Sequence, residues 1–540
     1  MKKTLFFTFL SVALILNGTE VGATIKEKTK FRPNSIRTNF PSVSAVQWEQ
    51  MEKEANEIAS REPAESKRYL SPELEDIIAH FVGGKDHNGK FLEGVKDVKK
   101  LEILINQSED ETFYNSLPLD AKFVAAQLPM LRAYRGILYR IRPYASNTDE
   151  KQGTPKVVHS LLLTAVQNLV TWTHLYLPTD QWNVISDYIT EPQDDMEFIV
   201  RAAIESAKVN KDIPNLAEAS RIHDSGEFQY YLHENLHPRL EKMINRLIGI
   251  SQSLQKNKRF YFDNRLLYGN SSFEDGLNRY RRIGKAELWS LIAANLVAIS
   301  QLDFSLAYSL TDVMKAFEAL GKLQGVDVFM RTADVKGSPS RERTNAIKSE
   351  ATKNLFMFDV TDGQKSLDNA FSELKLAALY GTAAEKALHK RKENEEDAIS
   401  GSLFKSGQKR VFEPTYAKLK ELVNGETTLR SQLTGVVIKV NLPNFFSAKN
   451  HPTDLKAFLP TEFVSGDVDL TKTIKIHGNE QKDQPYRNYR DGEAKNWNIE
   501  LYQRYFPEVK SAADLKTAAE VLGQSYGGFL VLGPLSAFML

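Results

Sequence analysis

Residues 288–302 read LWSLIAANLVAISQL, an apolar stretch in which small side chains alternate with large ones. It contains no Asp, Glu, Lys or Arg, and it is shorter than the ~20 residues that cross a bilayer as a helix. Ser290, Asn295 and Gln301 also make it too polar for lipid. A helix that is apolar on most sides has to be buried, so we predict that this one lies inside a helical bundle.

Helical periodicity surrounds this stretch. Apolar residues recur three and four positions apart over residues 46–425, which predicts a multi-helix body. Ser71 followed by Pro72 illustrates a helix start, with a capping hydroxyl and a proline at the first helical position. The polar residues at 336–343 predict a break within this body.

The sequence changes character near its C-terminus. Residues 433–442 are rich in β-branched side chains that partly alternate with polar ones, which is typical of a strand. Residues 463–468 and 473–477 are weaker strand candidates, and helical periodicity returns at 512–522. We therefore predict a mainly α protein whose residues 426–540 form a small α+β module.

The N-terminus has the pattern of a cleavable signal peptide. Lys2 and Lys3 precede an apolar stretch at residues 5–16, and the small residues up to Ala23 suit a signal peptidase. We expect residues 1–23 to be removed and residues 24–45 to form an extended mature N-terminus. The protein is thus predicted to be bacterial and either periplasmic or secreted.

Composition excludes several classes of protein. The 540 residues include no Cys, which excludes thiol nucleophiles, Cys-ligated zinc and iron–sulfur clusters. With 70 basic and 69 acidic residues, the chain lacks the basic excess of a nucleic-acid-binding protein. Residues 157–179 and 521–540 are long enough to span a membrane, but polar residues and glycines argue against a transmembrane span in the mature chain.

Residues 233–237 read HENLH, which resembles the HExxH motif of zinc metallopeptidases. On a continuous helix, His233 and His237 share a face and could bind one zinc ion. Glu234 would then act as the general base that activates a zinc-bound water. The resemblance covers these five residues only.

Other residues near the motif argue against a zinc site. Pro238 is a good first residue of a new helix, which would leave the two histidines in a turn. Asn235 stands where the family usually has an apolar residue. No third ligand is evident, since Glu274 and Glu287 are candidates only because carboxylates are abundant.

Arginine and tyrosine interleave at four places, one of which is the short stretch 504–506, and the other three supply candidate ligand-binding residues. Guanidinium groups bind carboxylates or phosphates at two points, and tyrosine rings stack on sugars, which favours binding to a protein or an anionic envelope polymer. The alternative is that these side chains only cover helices. The candidate ligand-binding residues are Arg132, Arg135, Tyr139 and Arg140; Arg279, Tyr280, Arg281 and Arg282; and Tyr486, Arg487, Tyr489 and Arg490.

Two functions stay open at this point. The preferred one is an exported, non-catalytic helical protein that binds a partner protein or an envelope polymer without a cofactor. The alternative is a secreted, zinc-dependent metallopeptidase that uses residues 233–237. The two differ in whether His233 and His237 lie on one continuous helix with a third ligand within reach.

Overall fold

A computed structural model describes parts of the helical body and of the C-terminal module. The described residues are 40, 45–60, 70–96, 98–134, 229, 232–255, 258–263, 265–268, 280–309, 357–389, 415–431, 434–458, 462–464, 473–476, 479–482, 493–495 and 497–524. Of these, 66% are helical and 11% lie in strands, which confirms the mainly α prediction. The predicted signal peptide at residues 1–23 and the predicted break at 336–343 lie outside the described residues.

The helices vary from four residues to more than seven turns. In chain order they are α1 (Ala45–Ser60), α2 (Pro72–Val82), α3 (Val98–Glu109), α4 (Glu111–Ser116), α5 (Leu119–Gln127), α6 (Met130–Tyr134), α7 (His237–Ser253), α8 (Arg265–Tyr268), α9 (Lys285–Leu306), α10 (Gly363–His389), α11 (Thr415–Asn424), α12 (Ile499–Gln503) and α13 (Ala512–Gln524). A π-helical segment, Leu232–Leu236, leads directly into α7.

The described strands are short and pair only as antiparallel two-stranded ladders. They are β1 (Gly84–Lys85), β2 (Phe91–Leu92), β3 (Phe260–Asp263), β4 (Tyr280–Ile283), β5 (Glu426–Arg430), β6 (Val437–Asn441), β7 (Glu462–Val464), β8 (Thr473–Ile476), β9 (Asn479–Lys482) and β10 (Glu493–Lys495). The pairs are β1 with β2, β3 with β4, β5 with β6, β7 with β10, and β8 with β9.

Helices α9 and α10 form the centre of the molecule. No residue of 288–302 is exposed, so the predicted burial of this stretch is confirmed. By length and composition α9 is, among the described residues, the one helix that could cross a membrane, but 72% of its most apolar window is buried inside the protein. The contacting helix α10 carries buried small residues that permit close approach: Ala370, Ala377, Ala378, Ala383, Ala384 and Ala387.

Three further helices pack around this central pair. Helix α7 contacts α9 on one side and α5 on the other, while α1 and α11 pack on α10. The carboxylate of Glu385 on α10 accepts hydrogen bonds from the backbone N–H groups of Tyr416 (2.8 Å) and Ala417 (3.1 Å). This carboxylate satisfies the unpaired N–H groups that every helix has in its first turn, and so fixes the start of α11.

Residues close together in the chain also determine where α2 begins and where the C-terminal strands and helix lie. Ser71 Oγ accepts a hydrogen bond from Leu74 N at 3.2 Å, with Pro72 at the first position of α2, as the sequence predicted. In the C-terminal part, β6, β7, β8 and α13 fall within or close to the predicted strand and helix segments. Aromatic rings fill its interior, and Phe445 stacks on Tyr505 with ring centroids 3.9 Å apart.

Candidate metal centre

Three central helices each place one metal-ligating side chain at a common point. His237 is the first residue of α7, Asp303 lies in the last turn of α9, and Glu373 lies in α10. One ligand atom from each residue lies within 4.8 Å of the other two. The closest approach joins His237 Nε2 to Asp303 Oδ1 at 2.9 Å.

The cluster is buried in the core of the protein. Asp303 and Glu373 are 0% exposed, and His237 is buried as well. Apart from the His237 imidazole, whose Nε2 lies 2.9 Å from Asp303 Oδ1, no donor among the described residues reaches either carboxylate. Buried polar atoms are almost always hydrogen-bonded, because their desolvation is otherwise uncompensated. The two carboxylates and the imidazole together form a set of oxygen and nitrogen atoms of the kind that binds divalent metal ions.

A third carboxylate stands on the other side of the imidazole. Glu241, one turn along α7, places Oε2 4.0 Å from His237 Nδ1. The ring thus has Asp303 at one nitrogen and Glu241 at the other. A metal-bound histidine commonly directs its second nitrogen to a carboxylate, which fixes the ring and its tautomer. At 4.0 Å, Glu241 is beyond hydrogen-bond distance of Nδ1 and acts on the ring through its charge.

The charges of the cluster shift the pKa values of its members. Burial lowers the pKa of His237, but the charge of Asp303, contact with that carboxylate and the charge of Glu241 outweigh it, so the pKa is raised. Burial raises the pKa of Glu373 well above its usual value, and repulsion from Asp303 and Glu241 adds to the effect. Without a cation the site therefore favours the protonated form of Glu373.

The HENLH residues are arranged differently from either sequence-based expectation. The chain passes from the π-helical segment into α7 without a turn, and Pro238 occupies the first turn of α7. The rings of His233 and His237 are stacked, with centroids 6.2 Å apart. Glu234 Oε1 lies 2.9 Å from His233 Nδ1, and its side chain is 38% exposed. His237 thus belongs to the three-ligand cluster, whereas Glu234 interacts with His233.

The two carboxylates considered as third ligands have other positions. Glu287 accepts a hydrogen bond from Gly284 N at 2.9 Å and so fixes the start of α9. Glu274 lies outside the described residues.

Part of the first arginine–tyrosine cluster is engaged in ion pairs. Arg132 contacts Glu102 at 3.1 Å and Glu109 at 3.0 Å, so its guanidinium links α6 to α3. Tyr280, Arg281 and Arg282 lie on β4, and the Arg282 side chain is buried. The remaining candidates, Arg135, Tyr139, Arg140, Arg279, Tyr486, Arg487, Tyr489 and Arg490, lie outside the described residues.

Sequence reasoning missed Asp303 and Glu373. A signal for both was present, because each acid falls on the apolar stripe of its helix. Asp303 follows Ile299 by one turn, and Glu373 lies between the buried Ala370 and Ala377. An acid at a core-facing position is costly unless it is paired, which marks it as a candidate functional residue.

Comparison with known proteins gives no further information about the centre. The chain matches no protein-family model, no curated protein and no solved structure.

Proposed function

We propose that this is an exported helical protein that binds a divalent transition-metal ion through His237, Asp303 and Glu373. The observation that supports the proposal is the convergence of an imidazole and two fully buried carboxylates within 4.8 Å in the core. A dication balances the two carboxylates when the imidazole is neutral, so the loaded centre carries no net charge. A neutral centre is the form that a low-dielectric interior tolerates best.

The donor set favours zinc. Imidazole suits Zn, Fe, Cu and Ni, whereas carboxylates alone suit Mg, Ca and Mn, and zinc binds more tightly than manganese to a mixed site. Zinc bonds of about 2.0–2.2 Å place neighbouring ligand atoms roughly 3.4 Å apart, and the three ligand atoms of this cluster lie within 4.8 Å of one another. Glu241 acts on the His237 ring through its charge.

Burial of the ligands favours binding over catalysis. A catalytic zinc keeps an open position that substrate can reach, but Asp303 and Glu373 are 0% exposed. The metallopeptidase alternative would require His233 as a ligand and Glu234 as the base. His233 is not among the described residues whose ligand atoms converge on the site.

Equilibrium zinc binding tests the proposal. Metal-stripped protein should bind one zinc ion per chain, measured by calorimetry and elemental analysis after dialysis. Asp303→Asn and Glu373→Gln should each weaken binding about a hundredfold, because each removes a charged ligand at nearly constant volume. Glu385→Gln, a carboxylate of α10 that caps a helix, is the matched control and should bind zinc as the parent does.

Two results would overturn the proposal. One is the absence of bound zinc after reconstitution, and the other is unchanged zinc affinity in both Asp303→Asn and Glu373→Gln. His233→Asn distinguishes the proposed metal-binding function from the metallopeptidase alternative. Zinc binding that is retained in this variant supports the centre formed by His237, Asp303 and Glu373. Loss of both zinc and casein cleavage in that variant, with Glu234→Gln losing cleavage alone, would favour the peptidase. Export is checked by N-terminal sequencing of the mature protein.

A further inference from the structure

A surface groove of about 740 Å³ lies between α7 and the short helices α4 and α5. Helices α4 and α5 form one wall, with Tyr114, Asn115 and Lys122, and α7 forms the other, with Asn245 and Arg246. Sites for small organic ligands commonly measure roughly 300–1,000 Å³, so the groove is large enough to hold one.

Positive charge exceeds negative charge in this groove. Its lining contains three cations, Lys122, Lys242 and Arg246, and two carboxylates, Glu111 and Glu241. The Glu111 carboxylate is shared, because its Oε1 lies 2.6 Å from Lys242 Nζ and 3.1 Å from Arg246 Nη2. One negative charge thus compensates only one of these two cations. The groove therefore attracts anions and repels cations.

Lys122 is a cation of the groove that pairs with no carboxylate among the described residues. Its Nζ lies 5.7 Å from the centroid of the Tyr114 ring, and Arg246 Cζ lies 3.8 Å from the same centroid. Two positive charges are thus held beside one aromatic ring, and the ammonium of Lys122 can pair with a ligand.

The Arg246 side chain, in contrast, is committed to the protein. Its Nη1 donates to the carbonyls of Ser108 (2.9 Å) and Ala125 (3.4 Å), and its Nη2 donates to Glu111 (3.1 Å). Arg246 therefore contributes charge to the groove but no free pair of donors. A carboxylate is bound best by the planar fork of an arginine, whereas a lysine binds a phosphate as a point charge. The free cation of this groove thus favours a phosphate group.

Three neutral side chains of the groove have unused hydrogen-bonding groups. The amides of Asn115 and Asn245 and the hydroxyl of Tyr114 make no hydrogen bond with any residue that the structure describes. Burial raises the pKa of Tyr114 to about 12, although the charge of Arg246 acts in the opposite direction. The hydroxyl therefore stays protonated at neutral pH and can donate. Such polar groups in a groove orient a bound ligand.

We infer that this groove binds a small organic phosphate, whose phosphate group pairs with Lys122 and accepts hydrogen bonds from Asn115 and Asn245. Leu119 and Ile250 also line the groove and provide apolar surface for the organic part of the ligand. The inference adds a second binding site to the protein and does not depend on the proposed metal-binding function.

Calorimetric titration of the full-length, metal-free protein tests this site. The probes are glucose 6-phosphate and phenyl phosphate, and glucose is the uncharged control. A phosphate ester should bind with one molecule per chain, and glucose should not bind. Lys122→Gln should weaken this binding about tenfold or more, because it removes the free ammonium group. Lys449→Gln makes the same change in net charge at an exposed lysine outside the groove, and should bind the ester as the parent does.

Asn245→Asp tests the sign of the ligand's charge. It adds a negative charge at nearly constant volume to a partly exposed side chain of the groove, so it should weaken binding of a phosphate ester further than Lys122→Gln does. Circular dichroism checks that both variants are folded. The inference is overturned if neither phosphate ester binds, if glucose binds as tightly as its phosphate, or if Lys122→Gln binds with parental affinity.

Discussion

Glu373→Met should stabilise the metal-free protein while it abolishes zinc binding. Methionine is unbranched like glutamate and adapts to irregular space in a core, so it fills the site that the glutamate side chain occupies. A residue whose role is to bind a ligand is expected to lower the stability of the ligand-free protein. A residue with a purely structural role stabilises the fold whether or not a ligand is bound.

The magnitude follows from the surroundings of the carboxyl group. Glu373 is 0% exposed, and neither oxygen receives a hydrogen bond from the described residues. Leaving a buried polar group unsatisfied costs about 1–3 kcal/mol, so the variant should gain roughly that amount of unfolding free energy.

The gain should depend on pH in a defined direction. The native pKa of Glu373 is raised well above 4.5, mainly by burial, so the folded protein holds this proton more tightly than the unfolded chain. The stability that comes from the bound proton is complete below the unfolded pKa and is lost as the pH rises through the native pKa. The gain in unfolding free energy of Glu373→Met over the parent protein should therefore grow as the pH rises above the pKa of this carboxyl group in the unfolded chain.

Denaturant unfolding of metal-stripped protein measures this effect. The matched control is Glu385→Met on the same helix, which removes the acceptor of two backbone hydrogen bonds and should lose about 1–2 kcal/mol. Zinc at a concentration of a hundred times its Kd should raise the unfolding free energy of the parent protein by about 2.7 kcal/mol. It should leave the unfolding free energy of Glu373→Met unchanged. A metal-free Glu373→Met protein less stable than its parent would refute the reasoning, because the carboxyl would then stabilise the fold.

Two further predictions concern the scaffold. Glu54→Gln should destabilise the protein by about 3–5 kcal/mol in guanidinium unfolding, because it removes the carboxylate that pairs with Lys285. In the parent protein the two charged groups are 2.6 Å apart and both side chains are 11% exposed. A loss below about 1 kcal/mol would show that solvent replaces the ion pair. Gly94→Ala should lower the Tm more than Gly89→Ala. Both glycines have positive φ (+74° and +78°), but a Cβ at Gly94 would lie 2.6 Å from a backbone nitrogen, whereas one at Gly89 meets nothing within 4 Å. Equal shifts in Tm would contradict the steric part of this prediction.

Local features of the fold were accessible from the sequence. The burial of residues 288–302, the capped start of α2 and the position of β6 each depend on residues that are close together in the chain. Side-chain periodicity, capping hydroxyls and β-branched alternation report such local relationships directly.

The candidate site was accessible only in part. His237 attracted notice through a five-residue string whose other members, His233 and Glu234, interact with each other. Its closest partner in the centre, Asp303, comes from another helix, and no pattern around either residue links the two.

By itself, then, the sequence determined that the chain is mainly helical and that α9 is a core helix, because periodicity over three and four residues dictates which face is buried. Only the tertiary structure decided that α7, α9 and α10 bring His237, Asp303 and Glu373 together. The reason is physical: helix packing depends on the fit of whole surfaces contributed by distant segments. The meeting of three side chains is therefore a property of that fit, and no single segment encodes it.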